Sequence, residues 1–329
     1  MRILMWHVHG SWTTSFVQGR HDVVLPVDEE RGPDGRGRAR TWNWPERVHE
    51  TPVGQLGGTA FDCVILQRPH EKELCRQWTG RVPGVDVPAF YLEHNTPGCH
   101  AATTRHPMAD QHAIPIVHVT HFNRLMWDCG RAPTAVVEHG VIDPGYRYTG
   151  EAAGLASVVN EPVRRGRVVG ADLLLELAAR RDSARRPLDV YGMGMRDLAA
   201  EAVSAGLSQW TSRLHDDLPQ HEMLDRLPHH RAYLHVCRWT SLGLSLIEAM
   251  LLGMPVLAVD ATEASAAVPP DGGLVSSDVD ALMRRADQWI DDPDSARAAG
   301  RAARRHALEK FGLPRFLAEW DRLLEGATS

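Results

Sequence analysis

The sequence predicts an α/β protein with two doubly wound parallel sheets. At 329 residues the chain is longer than a usual single domain, and its composition, 43% hydrophobic and 24% charged, is that of an ordinary globular protein. Short apolar runs alternate with helical stretches, which is typical of parallel sheets covered by helices. From the length we expect two domains of about 150 residues each.

Two series of apolar runs have the length of buried strands. The first comprises residues 2–8, 21–27, 62–67, 89–93, 116–120 and 135–137, and the second comprises residues 156–159, 188–191, 232–236, 255–259 and 273–275. Helices are predicted between them, for example over residues 172–181 and 244–252. Ligands of such sheets bind at the carboxyl ends of the strands.

The alternation breaks near residues 139–154, where the turn-forming sequence Asp143-Pro144-Gly145 interrupts it. We therefore expect one domain over residues 1–145 and a second over residues 146–312. Residues 313–329 carry apolar side chains at helical spacing. We expect them to form a helix that packs across the domains, crossing back to the first.

The composition argues against several partners and locations. A formal net charge of −6 gives no support for binding nucleic acid, and no run approaches the length of a membrane span. The chain begins with a strand rather than a signal peptide, and its five cysteines are scattered, which indicates reduced thiols. Lysine occurs only at positions 72 and 310, as in proteins of GC-rich bacterial genomes. We expect a cytoplasmic protein with at most weak peripheral membrane contact, and leave its oligomeric state open.

Residues 239–257 have the pattern of an anion site. Gly243 precedes a predicted helix, which ends at Gly253 before Pro255 leads into a short apolar strand. The first amides of a helix lack intrahelical partners and lie at the positive end of its dipole, so they bind anions such as phosphate. Glu248 follows just over one turn later, where it can accept hydrogen bonds from hydroxyls attached to that anion. A nucleotide-sugar site needs this pairing.

The same segment resembles the donor-site signature of retaining GT-B glycosyltransferases of family 4. That signature reads Glu-Gly-Phe-Gly-Leu-x-x-x-Glu-Ala-x-x-x-Gly-x-Pro-Val. The chain differs from it at the first Glu, where Thr240 stands, and at the next two positions, Ser241 and Leu242. The matching positions are Gly243, Glu248, Ala249, Gly253, Pro255 and Val256. Weaker similarities to family elements lie at residues 138–143, 170–174 and 191–194.

The resemblance implies a GT-B fold, in which two Rossmann-like domains face each other across a cleft. It implies an N-terminal acceptor-binding domain, a C-terminal donor-binding domain and transfer of a sugar with retention. The co-substrate is a nucleoside-diphosphate sugar, and the acceptor is a hydroxyl of a small molecule, a glycan or a lipid. Neither a metal nor another cofactor is expected.

Site residues follow from the resemblance, position by position. Transfer builds charge on the leaving diphosphate, which preset hydrogen-bond donors and planar guanidinium groups stabilise. The family's lysine before the glycine of this loop is missing, since Val169 stands there. We assign diphosphate binding to Gly10, Gly243, Leu244 and Ser245, an unspecified arginine role to Arg164, Arg165 or Arg167, ribose binding to Glu248, sugar contacts to Thr240 and Ser241, and backbone contacts with the base to Leu214 and His215.

The N-terminal half contributes weaker candidates. His94 follows a predicted strand and is expected to orient the sugar or the acceptor, with Glu93 and Asn95 as lesser candidates. His7 and His9 have a spacing that also suits metal, but no third ligand is near in sequence, so no metal site is predicted.

Residues 31–40 are rich in Gly and Arg. They predict either a flexible solvated loop or an acceptor loop that orders around a ligand. In the second case Trp42 and Trp44 would help, because aromatic faces stack well on sugar rings.

Two alternative functions remain open from the sequence. One is a GT-B nucleotide-sugar epimerase, and the other is a catalytically degenerate protein that binds a nucleotide sugar or a partner enzyme, which the change to Thr240 would support. The sequence lacks a P-loop, a strand-one Gly-x-Gly-x-x-Gly and a Gly-x-Ser-x-Gly elbow. P-loop kinases, nicotinamide enzymes and α/β-hydrolases are therefore disfavoured.

Overall fold

The computed structural model describes residues 1–98, 100–180 and 182–326. The chain divides into two compact units. The first unit comprises Met1–Ile142 together with the segment from Phe311 onward, and the second unit comprises Asp143–Lys310. The chain therefore leaves the first unit once and later returns to it.

The elements follow one another in the alternating order expected from the sequence. As far as Ile142 they are β1 (Arg2–Met5), α1 (Gly10–Phe16), β2 (Asp22–Val27), β3 (Val48–Pro52), β4 (Cys63–Leu66), α2 (Glu71–Thr79), β5 (Ala89–Glu93), β6 (Ile116–His118), α3 (His121–Met126) and β7 (Thr134–Val136). Beyond it they are β8 (Ala152–Val158), α4 (Pro162–Arg165), α5 (Ala171–Ala179), β9 (Leu188–Gly192), α6 (Met195–Ser204), β10 (Leu214–Asp216), α7 (Gln220–Arg226), β11 (His230–His235), α8 (Leu244–Leu252), β12 (Val256–Val259), α9 (Ala264–Ala267), β13 (Gly273–Ser276), α10 (Val279–Asp291), α11 (Pro293–Phe311) and α12 (Leu313–Gly326).

Each unit contains one parallel sheet with the strand order of a Rossmann-like fold. The first sheet runs β3-β2-β1-β4-β5-β6-β7, and the second runs β10-β9-β8-β11-β12-β13. All strand pairs in both sheets are parallel. The first strand of each unit lies inside its sheet, so the chain winds outward in both directions from it. The predicted class, two doubly wound α/β domains, is confirmed.

Some predicted strands are shorter in the structure, and two were missed. β1 ends at Met5 rather than residue 8, which leaves Trp6–His9 in the segment that leads to α1. β3 and β10 were not predicted, because each is a short edge strand with polar side chains at several positions. Edge strands do not need the continuous apolar runs that mark buried parallel strands.

The helix α12 packs in the core of the first unit. Phe316, Trp320 and Leu324 are fully or almost fully buried there with residues of β1 and α1. The rings of Trp12 and Trp320 lie edge to face with centroids 5.5 Å apart. This apolar stripe is the one that the helical spacing of residues 313–324 indicated.

Across the described residues, no helix has both the length and the apolar character needed to cross a bilayer.

Candidate functional site

The site predicted from residues 239–257 lies in the second unit, where β11 leads into α8. The segment after β11 ends at Gly243, the N-cap residue, whose backbone is extended with φ −71° and ψ 121°. Every residue from Leu246 to Leu252 is buried, so packing fixes the direction of the helix. No capping side chain accepts a hydrogen bond from the first amides of α8. These amides can therefore donate to a ligand.

Gly243 is required by a neighbouring ring rather than by an unusual backbone angle. A Cβ atom at this position would lie 2.6 Å from Cε1 of His235, the last residue of β11. Burial lowers the pKa of His235 to about 4, so its imidazole is neutral near pH 7. No sequence motif pointed to His235; its spacing of two residues from Tyr233 is the signal that both side chains lie on the same face of β11.

Glu248 is a buried carboxylate held by one amide. It is 6% exposed, and its Oε1 accepts a hydrogen bond of 2.8 Å from Nε2 of Gln220, the first residue of α7. Burial raises the pKa of Glu248, and the Gln220 bond opposes that rise. A carboxylate in this setting gains from further hydrogen-bond donors such as sugar hydroxyls. Gln220 was not predicted, since no sequence pattern connects it to α8.

The residues around the start of α8 are held by local hydrogen bonds. The hydroxyl of Tyr233, on β11, donates to Oγ of Ser245 at 2.8 Å. Thr240 hydrogen-bonds the thiol of Cys237, and Ser241 is 8% exposed. Leu244 and Ser245 are half-buried, so their amides lie near the protein surface.

The three candidate arginines differ in their partners. The exposed Arg164 side chain pairs with Glu161, with Nε 2.9 Å from Oε2. Arg167, also exposed, pairs with Asp172 at 2.5 Å. Arg165 is half-buried, makes no ion pair with any described carboxylate, and its charge lowers the pKa of the Cys237 thiol, which burial raises to about 11. Of the three, Arg165 is thus the one whose charge acts on Cys237 and is not already paired with a described carboxylate.

Leu214 and His215, the predicted base contacts, lie on β10 at the edge of the second sheet. The ring of His215 stacks on Tyr191 with centroids 4.4 Å apart, and its Nε2 lies 2.9 Å from Oδ1 of Asp189. Because β10 has a neighbour on one side only, alternate backbone groups of the strand point away from the sheet. These backbone N–H and C=O groups of β10 are the ones that could hydrogen-bond a base.

In the first unit, His94 lies among other histidines. We call His9, His94 and His139 the histidine cluster; they follow β1, β5 and β7 respectively. The ring centroids of His9 and His94 are 3.8 Å apart, and those of His94 and His139 are 6.3 Å apart. The edge of Trp12 packs against His94 at 5.6 Å. From the sequence, His9 was a candidate only as a potential metal ligand, and no pattern pointed to His139.

Burial lowers the pKa of every member of the histidine cluster, to about 4 for His9, to about 3 for His139, and well below the usual range for His94. All three imidazoles are therefore neutral near pH 7. A neutral imidazole donates one hydrogen bond and accepts another.

Glu93 and Asn95, the lesser candidates, have structural roles. Glu93 is 5% exposed; it accepts a 2.6 Å bond from the Asn95 amide and pairs with Nε2 of His106 at 3.0 Å. The backbone carbonyl of Asn95 accepts from Nε1 of Trp127 at 2.8 Å. These bonds anchor the segment that follows β5.

Gly10, predicted to bind the diphosphate, begins α1 and is covered by Trp42. A Cβ atom at Gly10 would lie 2.3 Å from the Trp42 ring, so the close approach that glycine permits here is made by an indole. Trp44 is 3% exposed, and its Nε1 donates to Thr14 at 2.9 Å. Trp42 is half-buried, so of the two tryptophans only Trp42 keeps surface that a ligand could contact.

The Gly- and Arg-rich loop is held by specific bonds. Arg31 forms a two-bond pair with Glu50 of β3, at 2.7 and 2.9 Å. The Arg38 amide donates to the same carboxylate at 2.7 Å, and Nδ1 of His7 lies 3.0 Å from the Gly37 carbonyl oxygen. These bonds join the loop to β3 and to His7. His7 faces the loop rather than the histidine cluster.

The part of the chain that the structure describes contains no group of three or more His, Cys, Asp or Glu side chains arranged to hold a metal ion.

Comparison with solved structures decides the fold. HepE of Anabaena in complex with UDP superposes with a TM-score of 0.69, at 14% identity, over 99% of this chain and 100% of HepE. Sucrose-phosphate synthase of Thermosynechococcus elongatus gives 0.68, at 13% identity, over 99% of this chain and 98% of that protein. Both similarities span both units.

The chain has the GT-B fold. TarM of S. aureus is also similar, with a TM-score of 0.59 at 15% identity over 80% of this chain, which spans 54% of TarM. Within this GT-B chain, residues 164–320 match a family model described as glycosyl transferase-like. The match covers slightly less than half of the chain and includes α8 and Glu248. A comparison with curated protein sequences gave no match.

Proposed function

We propose that the protein is a retaining glycosyltransferase that transfers a sugar from a nucleoside-diphosphate sugar to a hydroxyl of an acceptor. Donor binding is assigned to the second unit and acceptor binding to the first. The GT-B fold and the glycosyl transferase-like match over residues 164–320 support this assignment. HepE has been crystallised with UDP, with UDP and glucose, and with UDP-glucose, so we take UDP-glucose as the first donor to test.

The observation that carries the proposal is the position of Glu248 behind the start of α8. The carboxylate is buried, and its hydrogen-bond donor is the uncharged Gln220 rather than a basic side chain. Vicinal hydroxyls of a ribose donate the hydrogen bonds that such a carboxylate requires. The amides of Gly243, Leu244 and Ser245 lie one turn earlier, where they would meet the diphosphate.

Charge on the leaving diphosphate needs stabilisation, and we assign that task to the α8 amides and Arg165. Preset donors of this kind lower the barrier because they need no rearrangement as charge develops. A guanidinium suits a phosphate because its planar fork donates two hydrogen bonds. Arg165 is preferred over Arg164 and Arg167, since those two already pair with carboxylates. In this mechanism the arginine and the helix supply the positive charge, and no metal takes part.

We assign His94 to orienting the sugar or the acceptor, and Thr240 and Ser241 to contacts with the donor sugar. Leu214 and His215 are assigned backbone contacts with the base. Retention follows if the departing phosphate accepts the proton of the attacking hydroxyl on the same face of the sugar. The buried free thiols of Cys63, Cys75, Cys129 and Cys237 support a cytoplasmic location.

Thermal-shift measurements with UDP-, GDP- and ADP-sugars test the donor site. A ligand at a hundredfold excess over its Kd stabilises the folded protein by about 2.7 kcal/mol. Glu248→Ala is expected to remove the stabilisation, whereas Glu201→Ala, at an exposed position of α6, should leave it unchanged. If no nucleotide sugar stabilises the protein, or if Glu248→Ala binds as well as the natural sequence, the proposal fails.

Product analysis with the bound donor separates the proposed transferase from the two alternatives. Slow hydrolysis of the donor without acceptor, with release of nucleoside diphosphate, supports the transferase. Conversion of the donor into an isomeric nucleotide sugar would indicate the epimerase. Binding without turnover in the presence of an acceptor library would indicate the degenerate binder. The anomeric configuration of any product, read by NMR, decides between retention and inversion.

A further inference from the structure

Two nitrogen atoms of the histidine cluster lack a hydrogen-bond partner. Among the described residues nothing bonds Nε2 of His94 or Nδ1 of His139, although both atoms are shielded from solvent. The two side chains belong to residues that are only 8% and 4% exposed. Folded proteins rarely leave buried polar atoms unpaired, because the lost hydration is not recovered. Two such atoms in one cluster point to a ligand that supplies the missing bonds.

The two arginines whose charges act on the cluster also carry unpaired donors. Arg68 acts on His9, and Arg315 acts on His139, whose carbonyl oxygen accepts a 2.7 Å bond from Nη2 of Arg315. Nη2 of Arg68 and Nε of Arg315 are buried and find no acceptor in the described part of the chain. Guanidinium nitrogens can only donate. The ligand must therefore bring acceptor atoms.

Carboxylates hold both guanidinium groups in place without using these donors. Nε of Arg68 lies 2.6 Å from Oε1 of Glu71, and its Nη1 lies 2.9 Å from Asp34. Nη1 of Arg315 lies 2.6 Å from Oε2 of Glu319. The arginines are thus oriented before any ligand arrives, which lowers the entropy lost on binding.

The surroundings favour a negative ligand over a neutral or a positive one. The charges of Arg68 and Arg315 both act to lower the pKa of the neighbouring imidazole, in the same direction as burial. The carboxylate partners offset part of this charge, so the preference for an anion rests on the unpaired guanidinium donors, which a cation could not use. A bound anion would also favour protonation of the imidazoles, and each imidazolium has two donors.

We propose that the histidine cluster, with Arg68 and Arg315, binds an ionised oxyanion of the acceptor, a carboxylate or a phosphate. His139 and His94 donate to it directly, and the ring of His9 packs against that of His94 at a tilt of 38°, with centroids 3.8 Å apart. The inference deepens the proposed function, and it rests on that function only in identifying the ligand as the acceptor.

The test is a titration of the whole protein, free of nucleotide, with small probes, followed through the ring ¹⁵N signals of its histidines. The probes are inorganic phosphate, acetate and glycerol, the last as a neutral hydroxyl compound. His9→Asn, His94→Asn and His139→Asn assign the signals, and His49→Asn, at an exposed position of β3, is the matched control. Thermal unfolding of each variant checks that it is folded.

We expect phosphate or acetate to move the His94 and His139 signals toward those of imidazolium, and glycerol to leave them unchanged. His139→Asn should weaken the binding at His94 about tenfold, the value of one hydrogen bond to a charged group. His49→Asn should bind as the natural sequence does. The stronger of the two anions identifies the class of acceptor.

Three results would overturn the inference. They are a response to glycerol equal to that to the anions, no response to either anion, and an unchanged affinity for the anions in both His139→Asn and His9→Asn. None of these results depends on the donor. A protein that binds UDP-glucose but no anion at the cluster refutes this inference alone. A protein that binds an anion there but no nucleotide sugar refutes the proposed function alone.

Discussion

The side-chain amide of Gln220 donates a hydrogen bond of 2.8 Å to the carboxylate of Glu248. Gln220 begins α7 and Glu248 lies in the buried middle of α8, so the bond connects two helices. Burial raises the pKa of Glu248, and this bond opposes the rise. Gln220 therefore acts as a positioning residue for the carboxylate to which we assign the ribose.

Gln220→Ala is expected to weaken donor binding about tenfold, because a buried carboxylate loses a donor. Without the bond the pKa of Glu248 rises further, so the carboxylate is protonated over a wider range of pH. The loss of affinity should therefore be larger at about pH 6 than at about pH 8, as measured by calorimetric titration with UDP-glucose. Gln209→Ala, at an exposed position, is the control. A pH-independent loss would indicate a structural effect on α7 instead.

Arg165→Ala is expected to lower kcat/KM by about 10²–10³-fold, the range found when a donor to a developing oxyanion is removed. Arg164→Ala and Arg167→Ala are matched controls on the same segment, and each should change kcat/KM by less than about threefold, because exposed ion pairs contribute little. Steady-state kinetics with the nucleotide sugar that the thermal-shift screen identifies as the donor gives the comparison. A larger effect at either control position would reassign the phosphate-binding role.

Gly140→Ala is expected to destabilise the first unit by about 1–3 kcal/mol or more, the usual cost of overpacking a core. A Cβ atom at Gly140 would lie 2.2 Å from Cβ of Phe316, so α12 or its neighbour must move. Gly54→Ala is the control, since nothing lies within 4 Å of its added atom. Urea unfolding measures both changes, and equal stabilities for the two variants would contradict the packing described for α12.

Acid is expected to destabilise the first unit through the histidine cluster. Burial lowers the folded-state pKa to about 4 for His9 and about 3 for His139, whereas an unfolded histidine titrates near 6.5. Below about pH 6.5 the unfolded chain binds more protons, so stability present above that pH is lost as the pH falls toward the folded-state values. At about pH 5 His9 and His139 each lower the free energy of unfolding by about 2 kcal/mol relative to neutral pH.

The measurement is the free energy of unfolding at about pH 7.5 and about pH 5. His139→Asn should lose less stability between these conditions than the natural sequence, and His49→Asn should lose as much. If His139→Asn keeps the full acid dependence, its imidazole is not buried in the neutral form.

The alternation of strands and helices was predictable because buried parallel strands require continuous apolar runs. The structure has α8 and β5 at the predicted bounds, residues 244–252 and 89–93. For α8 the reason is local: Gly243 begins the helix and Gly253 ends it with a left-handed backbone, φ +91°. Edge strands β3 and β10 carried no such signal.

Long-range contacts explain what the sequence did not reveal. The loop at residues 31–40 is fixed by Glu50, which lies on a strand that the pattern missed. His9, His94 and His139 are far apart in sequence, and only the order of the strands brings their rings together. Gln220 on α7 meets Glu248 on α8 across 28 residues of sequence, which no local spacing encodes.

The return of α12 to the first unit has a consequence for how the protein is made. Phe316, Trp320 and Leu324 complete a core whose other buried members, from Ile3 to Val137, are synthesised well before them. During translation the second unit, Asp143–Lys310, is synthesised between the two parts of this core. The first unit therefore keeps an apolar surface uncovered until α12 has left the ribosome, and a nascent chain that stalls before α12 exposes that surface to chaperones.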